Sequence, residues 1–167
     1  MHIKGKEEKV IFLILIASIV VFAALWVVMN VIEARPSVAD YSQVYEKALG
    51  DSSEYAYDFS GIIRGRFTDS IDGWIVRKGQ PTRDTLLEVW IVARNREDGS
   101  WFRLPTEVNR RKQTAKDLGD GVYYTWSGVT AKWMTSVFSG KSIGEDYELF
   151  CYYKVGEDER LIPIEVK

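Results

Sequence analysis

The chain of 167 residues holds one cysteine, one histidine and four prolines. A lone Cys151 excludes an intrachain disulfide. One Cys and one His cannot furnish the usual zinc, haem-attachment or iron–sulfur ligand sets, so no metal and no cofactor is expected. No Pro, Gly or Ser run marks a linker, and no repeat, low-complexity tract or N-x-S/T sequon occurs. An excess of one charge sign is also missing. The 22 Lys and Arg against 24 Asp and Glu leave −2, without the basic surplus of a general nucleic-acid binder. Disorder is excluded for the bulk of the chain, because six Trp, nine Tyr and seven Phe carry too much apolar surface to remain solvated.

The first positive feature is a long uncharged run. Val10 to Ile32 reads VIFLILIASIVVFAALWVVMNVI, with Ser18 and Asn30 its only strongly polar members. As a helix it would be roughly 34 Å long, enough to cross a hydrocarbon core of about 30 Å with modest tilt. Its apolar character runs all round rather than along one stripe, which disfavours a helix lying in the membrane surface. Lys4, Lys6 and Lys9 precede the run, whereas Arg35 alone follows closely. The positive-inside rule then puts the N-terminus in the cytoplasm and the rest outside. Cleavage after Ala34 would leave Ile32 at the minus-three position with Arg35-Pro36 beyond, so an uncleaved signal-anchor is expected.

The domain plan that follows is a cytoplasmic tail over 1–9, a transmembrane helix over 10–32, a juxtamembrane helical stalk over 33–53 and an extracytoplasmic β-sandwich over 54–167. In the stalk, Ser37 can cap a helix with Asp40 three residues on, and Tyr41, Val44, Tyr45, Ala48 and Leu49 recur at helical spacing until Gly50. Such a helix serves either as a partner-binding stalk or as a cover packed on the domain. From Glu54 the pattern turns to strands: 55–59, 61–67, 71–76, 85–93, 100–104, 122–125, 129–133, 147–155 and 160–164. Asp98-Gly99 is the strongest hairpin signal, and Arg110 to Leu118 can form a helical turn. Short strands at such spacing, without a βα rhythm, indicate an all-β fold: a single-pass transmembrane helix followed by an antiparallel immunoglobulin-like β-sandwich.

Chemistry-bearing constellations are scarce. The only His, His2, lies across the membrane from the domain, so an imidazole base is missing there. Cys151 alternates in register with Tyr147, Leu149 and Tyr153, as a buried strand thiol would. No carboxylate pair sits in a motif that fixes its geometry, and no catalytic residue is assigned. The candidate site is a binding one: Trp101, Arg103, Arg110, Arg111 and Trp126, from the stretch that interleaves aromatics with arginines around a loop from Pro105 to Gly121. Ring faces stack on sugars while guanidinium groups pair with anionic substituents. Adjacent arginines are seldom both buried, so replacing Arg110 and Arg111 together is expected to leave the melting temperature nearly unchanged.

Several short motifs carry a resemblance over residues 54–167. They are Ile71-Asp-Gly-Trp-Ile-Val76, Asp98-Gly-Ser-Trp-Phe-Arg-Leu-Pro-Thr106, Arg111 ahead of Asp117-Leu-Gly-Asp120, Trp126-Ser-Gly128, and Gly144-Glu-Asp-Tyr-Glu-Leu149 before a Tyr-rich strand. Together they resemble the small β-sandwich modules that accompany bacterial cell-envelope and surface-glycan membrane proteins. The chain departs from that pattern at Lys112-Gln113-Thr114, in place of an Arg-x-Asp-Val-like run, and at Val129, in place of an aromatic. The resemblance implies an accessory or binding role and no catalytic residue. The partners expected are the lipid bilayer, with either an envelope glycan or an integral membrane protein of polymer synthesis or export. The alternative is a structural subunit of a membrane complex, with the transmembrane helix as main contact.

Overall fold

The computed structural model describes residues 4–48, 53–82, 87–134 and 141–165. Helix α1 runs Lys4–Glu33, and its apolar side chains from Val10 to Trp26 are exposed. Among the described residues it is the one helix long and apolar enough to cross a membrane. Its two polar members each donate within the helix: the Ser18 hydroxyl to the Ile14 carbonyl at 2.8 Å and one N–H of the Asn30 amide to the Trp26 carbonyl at 2.8 Å.

The remaining chain forms two antiparallel sheets. β1 (Ser37–Val38), β4 (Leu87–Asn95), β5 (Trp101–Arg103), β8 (Tyr147–Val155) and β9 (Asp158–Pro163) make one, in the order β1-β5-β4-β8-β9. β2 (Tyr55–Ile63), β3 (Thr68–Arg77), β6 (Thr106–Asn109) and β7 (Gly128–Met134) make the other, in the order β2-β3-β7-β6. Alternation along the strands turns Ile71, Ile75, Val129, Ala131 and Trp133 of the smaller sheet toward Val89, Ile91, Ala93, Leu149, Cys151 and Tyr153 of the larger. The two sheets therefore share one apolar core, a β-sandwich.

Both outer faces are covered as well. The alternate residues of the five-stranded sheet, Val92, Trp101, Phe150, Tyr152 and Leu161, lie under Tyr41, Val44 and Tyr45 of helix α2 (Ser42–Ala48) and the turn before it. On the four-stranded sheet, Trp74 and Val76 lie under Tyr124, Leu118 and Val122, which come from helix α3 (Thr114–Leu118) and the coil after it.

Several sequence expectations are corrected. The helix expected from Ser37 starts at Ser42, because the Asp40 carboxylate accepts the Ser42 N–H at 3.0 Å and caps it there. Residues 33–48 are not one helical segment: Ser37 and Val38 pair with Arg103 and Phe102 as an edge strand, while α2 packs on the sheet, as the cover alternative expects. Residues 61–67 are not a separate strand. Gly61 to Ile63 continue β2 past a bulge between Phe59 and Ile62, with Gly61 at a φ of 123° that a side chain would resist. Residues 122–125 are coil, and Thr106–Asn109, read as loop, is the edge strand β6 on β7. Leu49, Gly50, Thr85 and Leu86, assigned from sequence to a helix end and a strand start, lie outside the described residues.

Candidate functional site

The five sequence-chosen residues divide between opposite faces of the sandwich. Trp101 is 7% exposed and packed between Tyr45 and Phe150, with ring centroids at 5.4 and 5.3 Å. The guanidinium of Arg103 lies over the Trp90 ring at 3.2 Å. Both belong to the outer face of the five-stranded sheet, where α2 already occupies the apolar surface. Trp101 is therefore a packing residue and offers no platform.

Arg110, Arg111 and Trp126 are together on the other side. After β6 leaves the sheet, the chain crosses the outer face as α3 and a coil that returns to β7. The Arg111 N–H donates to the Thr125 carbonyl at 2.9 Å, pinning the outgoing and returning segments to each other. Buried Thr114 and Ser127 share a hydroxyl hydrogen bond at 2.9 Å, and the Ser127 hydroxyl bonds the Tyr124 carbonyl at 3.0 Å. The Trp126 N–H donates to the Thr82 hydroxyl at 3.0 Å. Backbone groups of this coil are satisfied by side chains and loops instead of a ladder, which is why an aromatic, β-branched stretch does not become a strand.

Tyr124 and Asp120 fix the tip. The Tyr124 hydroxyl donates to the Asp120 carboxylate and accepts the Gly79 N–H at 2.8 Å, while Asp120 also accepts the Val122 N–H at 3.0 Å. The bond from Tyr124 holds the Asp120 carboxyl below the usual carboxylate range, with the Val122 N–H adding to it. Burial, then the facing carboxylate, pushes the Tyr124 phenol up.

What this framework presents to solvent is an aromatic and cationic surface. The Arg110 guanidinium lies 4.8 Å from the centre of the half-buried Trp126 ring, and Arg110 and Lys112 are exposed. Tyr123, next to buried Tyr124, is 80% exposed. Arg111 differs from its neighbour: it is half-buried over Trp74 at 5.7 Å, with its Nε buried and unpartnered. Neither arginine is fully buried, but Arg110 alone is exposed. Tyr123 was not among the chosen residues, although Gly119-Asp-Gly121 before two tyrosines is a signal for a turn that puts one ring in and one out.

Cys151 is fully buried in the shared core, and burial pushes its thiol pKa up. Among the described residues no group of His, Cys, Asp and Glu is placed to hold a metal ion. No protein-family model, curated protein or solved structure matches the chain.

Proposed function

We propose that the chain is a single-pass, membrane-anchored binding protein of the cell envelope. Its N-terminus is cytoplasmic and its sandwich extracytoplasmic, presenting the loop of Arg110, Tyr123 and Trp126 to an anionic glycan. Its role is non-enzymatic. The single observation that carries this reading is the Arg110–Trp126 stack with the exposed Tyr123 ring on one hydrogen-bonded loop. A sugar's apolar face can lie on such rings while a carboxylate or phosphate substituent meets the guanidinium.

The immunoglobulin-like reading is supported by strand order. With β2 to β9 labelled A, B, C, C′, D, E, F and G, the four-stranded sheet runs A-B-E-D and the larger contains C-F-G, with C′ beside C. That order matches the ABED and CFG sheets of the constant-type fold, with two added strands, C′ and β1, on the larger sheet. Cys151 sits on the F strand facing the core, without a second Cys to bridge to B.

The competing reading makes the transmembrane helix the main contact within a larger complex. The Ser18 hydroxyl and one N–H of the Asn30 amide each bond a carbonyl of their own helix, which lessens the need of the apolar helix for a polar partner helix. Retention of the full-length, detergent-solubilised protein on isolated cell-wall glycan separates the two. Arg110→Ala and Tyr123→Ala should each weaken retention, with the Arg110 deficit shrinking as salt rises. Equal retention of wild type and both variants at every salt concentration would remove this loop as the site and favour a membrane-protein partner.

A further inference from the structure

The turn between β2 and β3 lies alongside the apolar helix. Phe67 sets its ring against Trp26 at 5.6 Å, and the Lys132 ammonium meets the Glu33 carboxylate at 3.4 Å. Val27, Asn30 and Val31 are half-buried and Ala34 is fully buried, so one helical stripe is covered over the last turns of α1. The sandwich thus reaches back along the span instead of starting beyond its end.

The depth follows from length. A hydrocarbon core of about 30 Å that begins at Val10, directly after Lys9, takes about 20 residues and ends near Met29. Trp26 then sits about one helical turn inside the boundary, and sliding the span outward to Ile32 only deepens it. Headgroup layers add about 5–8 Å on each side. A residue packed on Trp26 therefore cannot be in bulk water.

The turn is built for that position. Ile63 is 58% exposed beside it, and Arg66 is exposed with its guanidinium 5.6 Å from the Phe67 ring. Asp69, 3% exposed, accepts the Arg64 guanidinium at 2.8 Å and the Gly65 N–H at 3.3 Å. A Cβ on Gly65 would come within 2.1 Å of the Thr68 carbonyl oxygen, so the turn is closed tightly on itself. An apolar pair at the tip with a cation beside it matches the hydrocarbon–headgroup boundary.

We propose that Ile63 to Phe67 is a wedge inserted in the leaflet on the domain's side of the membrane. Ile63 and Phe67 reach the hydrocarbon boundary, Arg66 meets lipid phosphate, and the Arg64–Asp69 pair keeps the turn rigid. The sandwich is thereby held against the bilayer surface in one orientation. This rests on the reading of α1 as a membrane span, and the test keeps the two apart.

Full-length protein is reconstituted into phosphatidylcholine–phosphatidylglycerol vesicles, carrying one spin label at a time on Ile63→Cys, Arg66→Cys, Val20→Cys or Lys78→Cys. Native Cys151 is fully buried and stays unlabelled. Collisions with molecular oxygen and with a water-soluble nickel complex report depth. The label at 63 should favour oxygen over nickel, that at 66 should be intermediate, and that at 20 the most oxygen-favouring. Lys78, at the other end of β3, should show the reverse, favouring nickel. If 20 is deep while 63 and 66 match 78, the wedge is wrong and the span stands. If 20 itself behaves as water-exposed, the span fails and the wedge with it.

Discussion

Phe67 packs edge-on against Trp26, with 5.6 Å between ring centroids and 82° between ring planes. That contact links the sandwich to a residue about two turns inside the end of the apolar helix, so the domain's attachment involves more than the chain connection at Arg35-Pro36. Burial of Ala34 and the Glu33–Lys132 ion pair act at the same junction.

Arg110 and Arg111 should respond differently to substitution despite being neighbours. Arg110→Ala should leave the melting temperature nearly unchanged, because its side chain is exposed. Arg111→Ala should cost about 1 kcal/mol through the lost cover over Trp74. Arg111→Met should be neutral or stabilising, since it keeps the stem and deletes a buried, unpartnered donor. Thermal unfolding of the three variants checks this; a destabilised Met variant would mean that the guanidinium has a partner.

Tyr124→Phe should cost about 1–2 kcal/mol by removing the hydroxyl that joins Asp120 to the Gly79 N–H. The Asp120 carboxyl is held below its ordinary 3.8 in the folded state. Its contribution is therefore complete above that value and disappears as pH falls through the lower folded value. Asp120→Asn should flatten that acid limb in denaturant titrations, and an unchanged limb would contradict the assignment.

Alkali should act through the buried tyrosines, among them Tyr153, which burial raises from 10.0 to about 12. Below pH 10 the phenol is protonated in both states, so pH has no effect through it. Between about 10 and about 12 the unfolded chain releases the proton that the folded chain keeps, and stability falls with rising pH. The loss should be on the order of 3 kcal/mol, and Tyr153→Phe should remove that part of the slope.

Cys151 should be silent to an aromatic disulfide reagent in the native protein and react stoichiometrically in denaturant, because its thiol is fully buried. Cys151→Ser should leave glycan retention unchanged while lowering stability, since the hydroxyl enters an apolar core. Reaction of the native thiol would contradict the packing described.

The elements legible in the sequence are those whose pattern is strong without help from neighbours. The 23-residue uncharged run, the alternation of Tyr147–Val155 and the Asp98-Gly99 turn match α1, β8 and the β4–β5 hairpin. What was not legible depends on pairing and cover. Ser37–Val38 is a strand only because β5 offers an edge, and Thr106–Asn109, half-buried on alternate residues, has little apolar signal. Trp101 and Trp126 look alike in sequence, yet α2 covers one and leaves the other outside its reach. Which outer face a helix shields is a tertiary fact, and it divided the five chosen residues between two faces.

The central claim, an anchored protein with its sandwich outside, is tested most directly by thiol labelling in whole cells or spheroplasts. Gly5→Cys and Glu145→Cys are both exposed positions, and buried Cys151 gives no background. A membrane-impermeant maleimide should label the cysteine at 145 in intact cells and the cysteine at 5 only after permeabilisation. Labelling at 5 with protection at 145 would reverse the topology and contradict the account.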